Sequence, residues 1–165
     1  MAKESSFDVV STVDMQEVDN AFQQTKKELS QRYDLKDSGA EVSFDKNAKT
    51  FTVKAPSDFV AGQVIDVLST RLVRRGIDLT AVKWGEPKPA AGQTVIKEGG
   101  IIEGIDKETA GKISKDIRNT KIKCKVQIEG DKLRVSSASR DTLQEVISFL
   151  KGQDYGQPLQ YNNYR

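Results

Sequence analysis

The pattern of apolar residues predicts the same series of strands and helices twice along the chain, and this repetition restricts the fold more than any other feature. In the first half, a strand at 6–10 precedes a helical pattern, two alternating runs with a polar turn, a second helix and a strand at 81–84. In the second half, a strand at 94–101 precedes the same series, which closes with a strand within 157–161. The sequence therefore predicts two α+β units, each with the order βαββαβ.

Residues 85–92 separate the two copies, because this stretch holds two prolines and two glycines and shows no periodicity. We predict a first unit at 1–92, with the linker at 85–92, and a second unit at 93–165. The order βαββαβ is that of the ferredoxin-like fold, in which both helices cover one face of the sheet. The other face is then free for a ligand or for the sister unit.

Each predicted helix is preceded by a residue that can cap its N-terminus by accepting backbone hydrogen bonds. These residues are Asp14, Ser57, Asp106 and Ser139. The first helix is predicted to bury one apolar face, formed by Met15, Val18, Phe22, Leu29 and Tyr33. The segment 98–104 is rich in glycine but lacks the spacing of a phosphate-binding loop, so we expect a bulged or strongly bent strand there.

The composition excludes several functional classes. Histidine is absent and Cys124 is the only cysteine, which removes the usual near-neutral base, intramolecular disulfides and thiolate-rich metal sites. We therefore predict no catalytic residue, no metal and no cofactor. The N-terminus lacks the apolar run of a secretory signal, and no stretch approaches the roughly 18 apolar residues of a membrane span. These features predict a cytoplasmic protein.

Positive charge is concentrated in the second half, where residues 93–165 contain 13 basic and 10 acidic residues, against 13 and 14 in residues 1–92. Lys112 and Lys115 share one helical face, and Lys121, Lys123 and Lys125 alternate along a segment predicted to be extended. We predict that phosphates bind to Lys112, Lys115, Lys121, Lys123, Lys125, Arg134 and Arg140. The alternative is that these lysines line solvent-facing helix surfaces and protect strand edges.

The C-terminal tail combines aromatic rings with amides, a composition that can stack on a base and hydrogen-bond its edge. We predict that Gln157, Gln160, Tyr161 and Arg165 contact a base or ribose. The alternative is that the tail packs against the body of the protein. Phe7 and Phe51 are the aromatic candidates on the first unit's strands, but the signature of sequence-specific RNA readers is missing.

Six segments together resemble the YajQ family of bacterial proteins, and they span nearly the whole chain. They are 6–11, 32–36, 74–77, 126–135, 139–144 and 156–165. The most specific are VQIEGDKLRV at 126–135 and GQPLQYNNYR at 156–165. The resemblance implies two ferredoxin-like domains that exchange their N-terminal strands, with 6–10 in the second domain and 94–101 in the first. It also implies ATP, GTP and tRNA as ligands, and cyclic di-GMP sensing in some bacteria.

Together, these features predict a non-catalytic nucleotide-binding protein. Its ligand would be a purine nucleotide, cyclic di-GMP or weakly bound tRNA, held through the basic second unit. A regulatory protein is a further expected partner. The alternative is a protein-interaction scaffold or transcriptional co-regulator whose partner binding is tuned by a nucleotide.

Overall fold

The computed structural model describes residues 4–32 and 34–165, and within this range four α-helices and two sheets alternate along the chain. The predicted α+β class is therefore confirmed. Tyr33, predicted at the end of the first helix's apolar face, lies outside the described residues. The helices are α1 (Met15–Gln31), α2 (Asp58–Arg74), α3 (Lys107–Asn119) and α4 (Arg140–Lys151), and a 3-10 turn lies at Leu79–Ala81.

The strands follow the predicted order, with one addition. They are β1 (Ser5–Val10), β2 (Glu41–Asp45), β3 (Thr50–Ala55), β4 (Val82–Trp84), β5 (Lys88–Ala90), β6 (Thr94–Ile101), β7 (Lys125–Glu129), β8 (Lys132–Ser137) and β9 (Gln160–Asn162). The additional strand is β5, which lies inside the predicted linker 85–92 and pairs with β6. The closing strand β9 is shorter than predicted and begins at Gln160.

All four predicted caps are confirmed, because each side chain accepts backbone N–H groups at the start of its helix. Asp106 shows the closest contact, with its Oδ1 2.7 Å from the backbone nitrogen of Thr109. This contact also lowers the pKa of Asp106 below its ordinary value. The caps satisfy donors that a helix otherwise leaves without partners, which is why each helix begins where it does.

The chain divides into two compact units. Unit 1 comprises Met1–Thr12 and Glu103–Arg165, and unit 2 comprises Val13–Ile102. In unit 1, β1 pairs with the late strands β8 and β9, and in unit 2, β6 pairs with the earlier strands β3 and β4.

Unit 1 has an antiparallel sheet with the order β7-β8-β1-β9. Phe7 and Val9 of β1 are fully buried with Leu133 and Val135 of β8, and they form a core with apolar residues of α3 and α4. Both helices therefore cover the same face of the sheet. Because successive strand residues point to opposite faces, Asp8 lies on the other face.

Unit 2 has the sheet order β2-β3-β6-β4, with β5 also paired to β6. Its core joins Phe51 and Val53 of β3 to apolar residues of α1 and α2, and both of these strand residues are fully buried. Phe51 stacks on Phe44 at 4.6 Å between ring centroids and on Trp84 at 6.2 Å. These aromatic side chains thus serve packing.

Residues 98–101 continue β6 in regular register, so this part of the predicted segment has no bulge, whereas Gly104 beyond the strand lies in a bend with a φ of 78°. Gly99 and Gly100 pair in unbroken register with β3 on one side and with β4 on the other. The need for glycine comes from packing: a Cβ on Gly99 would lie 2.7–2.9 Å from three atoms of the Trp84 ring. A side chain at this position would displace the indole.

We expect Gly99→Ala to lower the free energy of unfolding by about 1–3 kcal/mol, because an inserted methyl group must push the Trp84 ring aside. Urea unfolding followed by the fluorescence of Trp84, the only tryptophan in the chain, measures this change. Gly100→Ala is the matched control, since a Cβ there meets nothing within 4 Å. Equal losses from the two variants would contradict this explanation of Gly99.

Candidate functional site

A pocket of about 290 Å³ lies at one end of unit 1. The start of β1, the first turns of α4 and the last two residues of the chain form its walls. The residues that line it are Ser5, Ser6, Arg140, Leu143, Gln144, Tyr164 and Arg165. The pocket therefore brings together Arg140 and Arg165, which sequence analysis assigned to the phosphate and to the base or ribose respectively.

The C-terminal wall of the pocket is held against β1 by backbone hydrogen bonds. The backbone nitrogen of Ser6 donates to the carbonyl of Arg165 at 3.2 Å, and the nitrogen of Arg165 donates to the carbonyl of Ser6 at 3.0 Å. The Tyr164 ring lies 6.1 Å from the buried Phe7 ring, yet Tyr164 is 59% exposed. Tyr164 thus has one packed side and one side open to a ligand.

The N-terminal end of α4 supplies the other wall. Ser139 caps the helix by accepting from the backbone nitrogen of Thr142. Arg140, Leu143 and Gln144 lie three and four residues apart, so they share one helical face. The partial positive charge of a helix N-terminus favours an anion nearby, although Asp141 in the same turn opposes it.

The side chains that line the pocket carry positive charge only. Two of its seven lining residues are arginines and none is Asp or Glu. Within residues 4–32 and 34–165, neither Arg140 nor Arg165 forms a salt bridge. Arginine presents several donors in a planar fork that matches a phosphate group. The arrangement can therefore hold a small anion beside an exposed aromatic ring.

Three of the predicted lysines lie at the same end of unit 1 as the pocket. The backbone carbonyl of Lys123 accepts from Ser137, which is the pairing partner of Ser5, and Lys125 pairs with Ser136, the partner of Ser6. Lys121 follows α3 in a turn with a positive φ of 63°, so the expected alternation along one extended segment is wrong for this residue. Lys125 also forms an exposed ion pair with Glu4 at 3.6 Å.

The other two predicted lysines belong to α3 and do not line the pocket. Lys112 and Lys115 are both exposed on this helix. Lys112 precedes the end of α3 by seven residues, roughly 10 Å at the rise of an α-helix. Their position matches the alternative reading of a solvent-facing helix surface.

The guanidinium group of Arg134 forms ion pairs with two carboxylates. Its Nε lies 3.3 Å from Asp8 Oδ1, its Nη2 lies 3.9 Å from Glu129, and only 25% of its side chain is exposed. Asp8 also accepts from Lys132 and from Asn163, and its own side chain is 3% exposed. Burial raises the pKa of Asp8, but the hydrogen bonds from Asn163, Arg134 and Lys132 outweigh it and lower the pKa.

The remaining tail residues make contacts within unit 1. Gln157 donates to the carbonyl of Gly104 at 2.7 Å, and the Gln160 side chain accepts from the backbone nitrogen of Thr12 at 2.8 Å. Tyr161 packs edge-on against Phe7 at 6.1 Å, and burial raises its pKa. These contacts match the alternative in which the tail packs against the body.

Sequence analysis did not assign five of the residues that line the pocket to a site. They are Ser5, Ser6, Leu143, Gln144 and Tyr164. The spacing of Arg140 and Gln144, four residues apart after a capping serine, was an available signal for a shared helical face. Nothing in the sequence indicated that Ser5 and Ser6 line a pocket, because they do so only when β1 lies beside the C-terminus.

Other kinds of site receive no support in the part of the chain that the structure describes. No group of three or more carboxylate or thiol side chains there could hold a metal ion. Burial raises the pKa of the Cys124 thiol, which disfavours the thiolate needed for nucleophilic attack. Among the same residues, no helix is long and apolar enough to cross a membrane.

The fold defines a class of protein: a chain with two compact units, each built on one antiparallel sheet. A family model described as "Nucleotide-binding protein YajQ-like" matches residues 5–165, and the chain belongs to this family. Proteins named "Nucleotide-binding protein" from Chloroherpeton thalassium and Desulfitobacterium hafniense are 40% and 44% identical to it, and each match covers all of both chains. A protein of the same name from Parvibaculum lavamentivorans is 44% identical over 97% of this chain and 98% of its own length.

Proposed function

We propose that this chain is a non-catalytic nucleotide-binding protein whose ligand occupies the pocket beside the start of α4. The observation that carries the proposal is the meeting of one exposed tyrosine with two arginines that form no salt bridge among the described residues, in a pocket lined by no acidic side chain. The names of the family and of the relatives support a nucleotide as the ligand. The absence of histidine supports binding without catalysis.

Each group in the pocket has a role that follows from its chemistry. Arg140 and Arg165 bind the phosphate through charge-assisted hydrogen bonds, which are stronger than neutral ones. Tyr164 stacks on the base with its exposed side. The Gln144 amide can donate to and accept from the base edge. Arg140 and Arg165 therefore remain in the proposed site, with Gln144 and Tyr164 added.

The lysines at the same end of unit 1 have a different role in this proposal. Lys121, Lys123 and Lys125 raise the local potential and attract an anion over a distance of about 8–10 Å, the screening length at physiological salt. Their contribution weakens as the ionic strength rises. Lys112, Lys115 and Arg134 have no contact role, because the first two lie along α3 and the third is bound to Asp8.

The size of the pocket favours a mononucleotide. Its volume of about 290 Å³ lies just below the range for small-molecule sites, roughly 300–1,000 Å³. A nucleoside phosphate such as GTP or ATP would place part of its structure inside. Cyclic di-GMP or tRNA would have to extend over the lysines outside the pocket.

We also propose that each unit is a ferredoxin-like domain and that the strands 6–10 and 94–101 are exchanged between the two halves of the chain. Unit 1 contains four strands, which in chain order are β1, β7, β8 and β9. Its sheet order β7-β8-β1-β9 places the first of these strands between the third and the fourth. In unit 2, β6 occupies the corresponding place between β3 and β4. These orders support the proposal, since a ferredoxin-like sheet has its first strand there.

The proposal predicts that Arg140→Gln and Arg165→Gln each weaken GTP binding by roughly tenfold, because a hydrogen bond to a charged group contributes about 1.5 kcal/mol. Calorimetric titration at low and raised salt measures the affinity, with ATP, cyclic di-GMP and tRNA as parallel ligands. The affinity of the unchanged protein is expected to fall as salt rises.

Two controls make this test specific. Arg74→Gln removes an exposed arginine of unit 2, and Lys112→Gln removes a lysine of α3, so neither should change the affinity. No binding of any of the four ligands at low salt would refute the proposal. A loss caused by Lys112→Gln but not by Arg140→Gln would move the site to α3.

A further inference from the structure

Strand β7 forms one edge of the sheet in unit 1. It pairs with β8 on one side, and among the described residues no strand pairs with it on the other. Ile128 on this strand is 47% exposed although its side chain is large and apolar. Lys125, at the start of the strand, has 73% of its side chain exposed. The edge is therefore open to pairing with a further strand.

The hairpin of β7 and β8 determines which backbone groups face this open edge. Only residues 130–131 connect the two strands, so Glu129 and Lys132 form the hydrogen-bonded pair that closes a two-residue hairpin. Hydrogen-bonded and non-hydrogen-bonded pairs alternate from there along the ladder. The backbone N–H and C=O groups of Val126 and Ile128 therefore point away from β8, towards the open edge.

The side chains of β7 are complementary to a second copy of the same strand. If two copies run antiparallel about a two-fold axis at Gln127, Val126 of each copy lies opposite Ile128 of the other. In the same register, Lys125 of each copy lies opposite Glu129 of the other. The apolar pairs thus fall on the residues with free backbone groups, and opposite charges, which stabilise a strand pair, meet at both ends.

The edge strand β2 of unit 2 has the same length of five residues but lacks this complementarity. It begins with Glu41 and ends with Asp45, so an antiparallel copy in the corresponding register would place carboxylates opposite each other. A lysine on an edge strand usually opposes pairing. In β7, Glu129 at the other end of the strand turns Lys125 into an attractive group for an antiparallel copy.

We propose that β7 is a self-association surface, at which a second copy of this chain extends the sheet of unit 1. Backbone hydrogen bonds of Val126 and Ile128 join the two copies, and two pairs of Lys125 with Glu129 set the register. The surface includes none of the residues that line the pocket proposed for nucleotides. One short strand from each copy makes a small interface, below roughly 1,200 Å², so the dimer is weak and forms as the protein concentration rises.

Charge reversal tests the register. Lys125→Glu and Glu129→Lys should each weaken dimerisation by about tenfold, because each places like charges opposite each other at both ends of the strand pair. The double variant restores opposite charges and should recover the dimer. Sedimentation equilibrium over a series of protein concentrations measures the dissociation constant. Lys112→Glu is the matched control, since it makes the same charge change at an exposed residue of α3 and should leave the constant unchanged.

An introduced cysteine tests the register independently of charge. Gln127 meets its own copy in a non-hydrogen-bonded pair, with Cα atoms about 4.5 Å apart. This distance lies within the range for a disulfide, about 4.4–6.8 Å. In a Cys124→Ser background, which removes the native thiol, Gln127→Cys should form a disulfide-linked dimer with oxidised glutathione. Lys125→Cys should not, because position 125 lies opposite Glu129.

Several results would overturn the proposal. They are a protein that stays monomeric at every concentration, equal effects of Lys112→Glu and Lys125→Glu on dimerisation, a double variant that dimerises no better than the single ones, or equal cross-linking of Lys125→Cys and Gln127→Cys.

Discussion

Replacing Phe51 with alanine is expected to lower the free energy of unfolding by about 3–5 kcal/mol, the range for truncation of a buried phenylalanine. Phe51 is fully buried at the centre of unit 2, where its ring contacts those of Phe22, Phe44 and Trp84. The variant would leave a cavity between the sheet and the helices. It would also remove the ring on which the Trp84 indole rests.

Urea unfolding measured through Trp84 fluorescence reports this loss directly, because the indole belongs to the same cluster. Phe59→Ala is the matched control: Phe59 lies in the first turn of α2 and is 76% exposed, so its truncation should change stability by less than about 0.5 kcal/mol. If Phe51→Ala lowered the free energy of unfolding no more than Phe59→Ala does, Phe51 would not belong to the core of unit 2.

The second large effect is expected from Asp8→Asn, which should destabilise unit 1 by about 2–3 kcal/mol. Breaking a fully buried ion pair costs about 3–5 kcal/mol, and we reduce this figure because Lys132 and Arg134 are 36% and 25% exposed. The variant keeps the shape of the side chain but leaves two cations facing a neutral amide. Hydrogen exchange of the β1 and β8 amides measures the stability of this unit.

The same carboxylate gives a pH dependence whose sign is fixed by its lowered pKa. In the unfolded chain Asp8 titrates near its ordinary value of 3.8, and in the folded protein it titrates below that. Its contribution is therefore complete well above pH 3.8 and is lost as the pH falls through the folded pKa. The difference between the unchanged protein and Asp8→Asn should shrink over this acidic window.

Glu4→Gln is the control for this prediction, because Glu4 and Lys125 form an ion pair in the same unit with side chains 53% and 73% exposed. Such exposed pairs contribute about 0–1 kcal/mol. Equal losses for Asp8→Asn and Glu4→Gln, or a difference that grows as the solution is acidified, would show that the buried carboxylate does not stabilise the unit.

The order of the elements was predictable because its signals are local. A cap such as Ser57 or Ser139 acts on the residue three positions away, and the period of a helix is visible within a few turns. Sheet pairing is a different problem: Asp8 meets Arg134 across 126 positions, and periodicity carries no information about that distance. The periodicity of the sequence therefore cannot predict that β1 pairs with β8 and β9. Only the family resemblance pointed towards this pairing.

The candidate site was predictable only in part for the same reason. Arg140 stood out as a charged residue after a helix cap, and Arg165 as part of an unusual tail. Counting positive residues could not show that Arg134 has a buried carboxylate partner or that Lys112 lies along a helix away from the pocket. Net charge along a sequence shows how many cations exist, whereas the fold decides which of them are free.

The pairing of β1 also bears on how the chain acquires its structure during synthesis. This strand leaves the ribosome before its hydrogen-bonding neighbours Lys132–Ser137 and Gln160–Asn162. Phe7 and Val9 must therefore stay exposed to water, or to a chaperone, until β8 and β9 have been made. Such long-range closure slows folding. Unit 2, whose strands all lie within residues 41–101, can assemble while the C-terminal part is still being made.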